Sequence, residues 1–241
     1  MKNSKEYGKK IMKLYRSLKK KQGKIKKAVF DEPAEAIVYA IVSESMRESE
    51  AKTVIKKMGK YFVDLNDMRV SRVGEFVEVI GSAGSSSEKT AKKLGEFLCA
   101  IYNKYDVVSL EALKETGKRQ AKKDLEELGI LSRFAINYCF LTALGGHSIP
   151  LTEKMFDYLR ASELVDPDAS DDDIEGFLER QVAAANGYEF YFLLRSESDK
   201  SKKKLKKAAK KKTKAKKTTK KKTKKTVKKA AKKTKKKTKK R

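Results

Sequence analysis

The sequence predicts an all-α protein, and three observations carry that expectation. Apolar residues recur at three- and four-residue intervals in one segment after another, the period of a helix face. No stretch sustains the period-two alternation of a half-buried strand. Only 3 prolines occur in 241 residues, and they are nearly absent from the periodic segments, where the ring would break a helix.

Residues 5–22 place Ile11, Leu14, Tyr15 and Leu18 at helical spacing with lysines elsewhere, which predicts an amphipathic surface helix whose basic face can touch phosphates. Its apolar face is narrow and lacks an aromatic-rich anchor, so membrane binding is not expected. Pro33 opens the next helix, and Ala34 to Ser43 reads as buried on all sides. Ser49 to Tyr61 carries Ala51, Val54, Ile55 and Met58 on one face. Val70 to Ile80 follows as one helix, with Gly81 a C-cap. Ser85 to Glu88 opens a helix holding Ala91, Leu94, Phe97, Leu98 and Ile101, and Ser109 to Glu115 is a short helix ended by Gly117. Further on, Asp166-Pro167-Asp168 is a turn. Ser170 and the acids Asp171 to Asp173 begin a helix running to Val182, with negative charge at its positive end. That acidic run lacks the central Gly and terminal Glu of an EF-hand, so calcium is not expected. Tyr188 to Leu194 suits helix or strand, and the all-α context favours helix.

Charge divides the chain into three parts. Residues 1–28 hold 12 basic residues against Glu6, and residues 201–241 hold 25 lysines and Arg241 with no acid. Residues 29–198 form the body; extended to 200, it has 22 basic and 31 acidic residues, a net of −9. The expected organisation is a basic helical segment (1–28), an all-α domain (29–198) and a disordered Lys/Thr/Ala tail (199–241). The flanks point to a polyanion, nucleic acid ahead of a membrane, while the acidic body offers a surface for protein partners. Cys99 and Cys139 lie in apolar helical patterns and are expected to be buried, reduced thiols. Two cysteines cannot complete a four-thiolate zinc or iron–sulfur site. With no apolar span of about 20 residues and no leader-like segment, a soluble intracellular protein is expected.

The centre of the chain is Leu125 to Leu159. Lys118 to Glu127 is a charged amphipathic helix, Leu128-Gly129-Ile130-Leu131-Ser132 a hairpin-sized break, and Arg133 to Leu144 an apolar helix. Gly145 to Pro150 breaks the chain again before Thr152, which suits an N-cap. His147, the only histidine, has no ligand-spaced companions and reads as a loop-packing residue. This order, with the early helix Ala34 to Ser45, resembles the helix-hairpin-helix superfamily of base-excision DNA glycosylases, endonuclease III-like members above all, over about Tyr7 to Arg195. The tail resembles those of linker histones and lysine-rich nucleoid proteins.

The resemblance implies a two-lobed helical fold that takes duplex DNA. Backbone N–H groups at Leu128 to Arg133 would meet a phosphate, with Lys118, Arg119, Lys122 and Lys123 adding contacts, and Ser45 standing where the family wedges into the duplex. The chemistry departs from the family. The lysine that forms a Schiff base in the bifunctional members aligns with Arg133, whose guanidinium does not deprotonate near neutral pH. The family aspartate aligns with Thr152, which is no carboxylate base. The neighbours Glu153 and Lys154 are the candidates for a relocated site, although one residue along a helix turns a side chain by about 100°. The expectation is a DNA-binding protein with degenerate catalytic positions, no cofactor and no iron–sulfur cluster, located in the cytoplasm on the nucleoid, or in a nucleus. An active glycosylase or abasic-site lyase using unusual residues is the alternative.

Overall fold

The computed structural model describes residues 3–23, 25–81 and 85–200. They are helical throughout: α1 Ser4–Lys21, α2 Pro33–Ser45, α3 Glu48–Tyr61, α4 Leu65–Val70, α5 Val73–Ile80, α6 Ser85–Tyr105, α7 Ala112–Glu115, α8 Lys118–Glu126, α9 Arg133–Thr142, α10 Glu153–Ala161 and α11 Asp171–Gln181. A 3-10 turn, Ala184–Asn186, leads into α12, residues 187–200. No strand occurs among the described residues, and none of their helices is long and apolar enough to cross a membrane. The all-α expectation holds, and Tyr188 to Leu194 is helix. The tail expectation falls on residues 201–241, outside the described set.

The centre is the pair α2 and α9. From Ala34 to Ser43 every residue of α2 except Glu35 is buried, and α9 is buried from Phe134 to Thr142. Each is apolar all round because each is covered on several sides, the pattern of a core helix rather than a surface one. α2 packs on α9 on one side and on α3 and α6 on the other, so it is shared by two lobes. One lobe is α3 to α6, and the other includes α8, α9 and their neighbours. Tyr39 of α2 stacks on Tyr138 of α9 (centroids 5.4 Å apart, 17° between planes), and Tyr191 of α12 meets Tyr138 edge-on at 5.7 Å. Glu32 fixes the start of α2: its carboxylate accepts from Ala34 N at 3.0 Å, Leu110 N at 2.8 Å and the Ser109 hydroxyl at 2.7 Å.

Three local expectations need correction. The segment read as one helix from Val70 to Ile80 is two, because α4 stops at Val70 and Ser71–Arg72 turn the chain before α5. Asp64 caps α4 through Asp67 N, a start signal hidden among weakly periodic residues. Cys99 is exposed on α6 and only Cys139 is buried. Leu94, Phe97, Leu98 and Ile101 define the buried face of α6, and Cys99 falls off it. The basic segment is not separate either: Ile11, Tyr15 and Leu18 of α1 are part of the core. The boundary at residue 28 therefore marks a change of charge and not of packing. Buried residues continue to Leu194 and Ser198.

The α9–α10 connection depends on two glycines. Gly145 has φ +61°, the left-handed region that favours glycine, and Gly146 lies so close to the Phe140 ring that a Cβ would overlap it. Gly146→Ala is expected to cost about 1–3 kcal/mol in urea unfolding, the usual range for overpacking against a ring that cannot move aside. Gly59→Ala, on α3 with open space around it, should be neutral or stabilising. Equal effects at the two positions would contradict this packing.

Candidate nucleic-acid interface

The hairpin joins α8 to α9. Glu127 N closes α8 on Lys123 O at 2.9 Å, and Gly129 turns the chain at φ +69°, its N–H bonded to Glu126 O at 3.1 Å. Leu128 and Leu131 are half-buried against the core and hold the turn down, whereas Ile130 stands at the tip, 38% exposed. Ser132 caps α9, its hydroxyl accepting from Ala135 N at 3.2 Å. The turn is thus pinned by two leucines and a cap, and it presents the positive N-terminal end of α9.

The four cations preceding the turn have separate surroundings. Lys118 donates to Gly145 O at 2.6 Å, at the end of α8 away from the turn, and so ties α8 to the glycine loop. Lys122 lies over the Phe140 ring, 5.7 Å from its centroid. Lys123 pairs with Glu127 at 3.7 Å, and Arg119 is exposed. His147 packs as a loop residue, with Nε2 2.8 Å from Glu179 O. No group of three or more metal-ligating side chains occurs among the described residues.

Arg133 is held by α11. Its Nη2 lies 2.6 Å from Glu175 Oε2, and its Nη1 pairs with Asp172. Asn137, one turn along α9, donates to the same Glu175 oxygen at 3.3 Å. Burial pushes the Glu175 carboxyl above the usual carboxylate range, and the Arg133 guanidinium opposes that rise. Asn137 and Glu175 were not singled out from the sequence. The i, i+4 pair Arg133 and Asn137 was the available signal, two polar residues on one stripe of an otherwise apolar helix.

The remaining candidates lie where α2 ends and α10 begins. Thr152 is buried at the N-cap position of α10, but its side chain makes no capping bond. Glu153 is an exposed first-turn acid. Lys154 Nζ is 3.4 Å from the backbone carbonyl of Ser45, so the structure brings these two together, and the Ser45 hydroxyl lies 3.4 Å from Thr90 Oγ1. Behind Ser45 sits Arg195, also missed in the sequence and 3% exposed. Its guanidinium donates to the carbonyls of Ser43 and, at 3.2 Å, Met46, and to the Tyr191 hydroxyl at 2.8 Å. Its Nε lies 3.5 Å from Glu48, which also accepts from the Tyr39 hydroxyl at 2.6 Å. Burial alone would lower the Arg195 pKa, but Tyr191 and Glu48 hold it above its ordinary value. A fixed cation thus closes the C-terminal end of α2, where a helix dipole favours positive charge.

Glu175 gives a pH test. Because its folded pKa is raised, the unfolded chain ionises first as pH climbs above 4.5, so Glu175 withdraws stability with rising pH. Arg133→Ala should enlarge that loss, destabilising the protein by about 1–3 kcal/mol at pH 7.5 and clearly less at pH 5. In the double variant with Glu175→Gln, the extra pH dependence should vanish. Urea unfolding at the two pH values reads both, and a pH-independent loss in Arg133→Ala would refute the coupling.

No protein-family model matches the sequence, and no curated protein does. Solved structures do match. The chain is 15% identical to endonuclease III in a non-covalent DNA complex, with a TM-score of 0.61 over 81% of this chain and 85% of that one. It is 17% identical to the Clostridium acetobutylicum 8-oxoguanine glycosylase/lyase in complex with dsDNA, with a TM-score of 0.62 over 83% and 71%. The H. pylori 3-methyladenine DNA glycosylase MagIII, bound to 1,N6-ethenoadenine, is 14% identical, with a TM-score of 0.60 over 81% and 98%. The described helices therefore have the overall fold of the helix-hairpin-helix DNA glycosylases.

Proposed function

We propose that the chain binds duplex DNA with a base-excision glycosylase fold whose catalytic positions no longer support base removal. The observation that carries this reading is Arg133, paired with Glu175 and Asp172 at the first position of α9. Aligned with the lyase lysine, it offers no amine that could become neutral and attack a sugar carbon. Thr152 supplies no carboxylate at the aspartate position. Phosphate binding remains well provided for: the hairpin turns the N-terminal end of α9 outward, and the flanking segments are strongly basic. The Ser45 segment, braced by Arg195, would press on the base stack and favour distorted duplex. The lysine tail supplies affinity without sequence preference, no cofactor is required, and the acidic body leaves room for a protein partner. Such a protein belongs with the chromosome, on a bacterial nucleoid or in a nucleus.

Borohydride trapping and base-release assays on a panel of damaged duplexes test the chemistry. They should use residues 1–199 beside the full chain, because tail lysines can form imines with abasic sites without an active site. Neither trapping nor release is expected from residues 1–199, with duplex binding retained. Turnover abolished by Glu153→Gln or Lys154→Ala would instead establish a lyase or glycosylase on relocated residues, with Lys154 beside Ser45 as its nucleophile. Removing the tail should weaken binding strongly at low salt and flatten its salt dependence. An unchanged salt slope would take the tail out of the interface.

A further inference from the structure

α1 carries a second basic feature that the hairpin and the tail do not account for. Lys5, Lys9, Lys13, Arg16 and Lys20 are all exposed, and at 100° per residue they fall within an arc of about 80°. The buried residues Ile11, Tyr15 and Leu18 lie about 120–180° from the middle of the stripe, so core packing fixes it to face outward. From Lys5 to Lys20 it runs about 22 Å. Two other cations of α1 are neutralised off the stripe: Lys10 pairs with Glu6 at 3.1 Å, and Lys19 with Glu189 at 2.7 Å. None of the five stripe residues has an ion-pair partner among the described residues.

Like charges at i, i+4 spacing destabilise a helix, here at Lys5–Lys9, Lys9–Lys13 and Arg16–Lys20. Successive i, i+4 cations stand about 6 Å apart, close to two phosphate steps of one strand measured along a duplex axis at about 3.4 Å each. We infer that the outer face of α1 is a second phosphate-binding ridge, taking the backbone of a nucleic-acid duplex separately from the hairpin. Its position supports separate contact. α1 meets α11 where Gly8 abuts Gln181, whereas the hairpin meets α11 at Asp172, near the other end of that helix, about 14 Å away. One long duplex could wrap past both surfaces, or two segments could be held together.

The inference rests on the nucleic-acid reading above, and amine footprinting of the full chain separates the two. With a 40-base-pair duplex present, labelling of Lys5, Lys9, Lys13 and Lys20 should fall at least fivefold, alongside Lys123 and the tail lysines. Protection of Lys123 and the tail alone would overturn the ridge and leave DNA binding standing, whereas no protection anywhere would remove both. Protection by phosphatidylserine vesicles but not by duplex would overturn the ridge in favour of a lipid surface. The combined variant Lys5→Gln, Lys9→Gln, Lys13→Gln, Arg16→Gln and Lys20→Gln touches no core residue and keeps good helix formers. It should lower the slope of log K against log salt by about 4.5, because each phosphate that a cation neutralises contributes about 0.9 to that slope. An unchanged slope with unchanged helicity would also overturn the ridge.

Discussion

The structure depends on the contact between two short helices that are apolar on every side. α2 and α9 cannot be stable in water alone, because both are short and most of each is apolar. Burying both requires neighbours on several sides, and that requirement produces the two lobes. α3 and α6 cover one side of α2, and α9 covers another. The positions that resemble catalytic and DNA-contacting ones sit at the ends of these two helices, Ser45 ending α2 and Arg133 beginning α9. Rigidity of the pair thus becomes positional precision at the surface.

Buried polar groups set those two ends. Arg195 bonds the last carbonyls of α2, and Glu48, Tyr39 and Tyr191 surround its charge with acceptors and rings. A cation so enclosed is costly to desolvate and is tolerated only with such partners, so the network specifies one conformation of the Ser43–Met46 turn. At the other helix, Glu175 joins α11 to α9 through Arg133 and Asn137. Both devices reach across distant parts of the chain. Each holds a short surface segment that the apolar core alone would leave loosely defined.

This division explains what could be read from the sequence. The helices, the hairpin and the glycine loop are written in local pattern: apolar periodicity, Gly129 and Gly145 at turns, and Ser132 and Ser170 as caps. Local signals also mislead where they are weak. The Val70–Ile80 segment looked continuous because apolar residues straddle the break at Ser71–Arg72, and Cys99 looked buried because its neighbours are. Arg195 and Glu175 could not be found this way. Their roles depend on partners 152 and 42 residues away, and a charge on a helix does not reveal its partner in sequence. Lys118 makes the same point: its sequence position suggested the hairpin, but its amine reaches Gly145 at the other end of α8.

The first turn of α11 bears on why an arginine stands at the start of α9. Asp171, Asp172 and Asp173 suit the positive end of their own helix, but they place negative charge beside the hairpin. Arg160 takes Asp171 at 2.7 Å, and Arg133 takes Asp172 and Glu175 together. A lysine could pair with one of these carboxylates as a point charge, but the guanidinium fork engages two at once. Arginine at position 133 therefore performs an electrostatic task, neutralising the acidic end of α11 beside the hairpin. That task competes directly with nucleophilic chemistry, because a residue engaged by two carboxylates is held charged. On the proposed reading, the arginine that neutralises the acidic end of α11 also leaves position 133 without the amine a lyase would need.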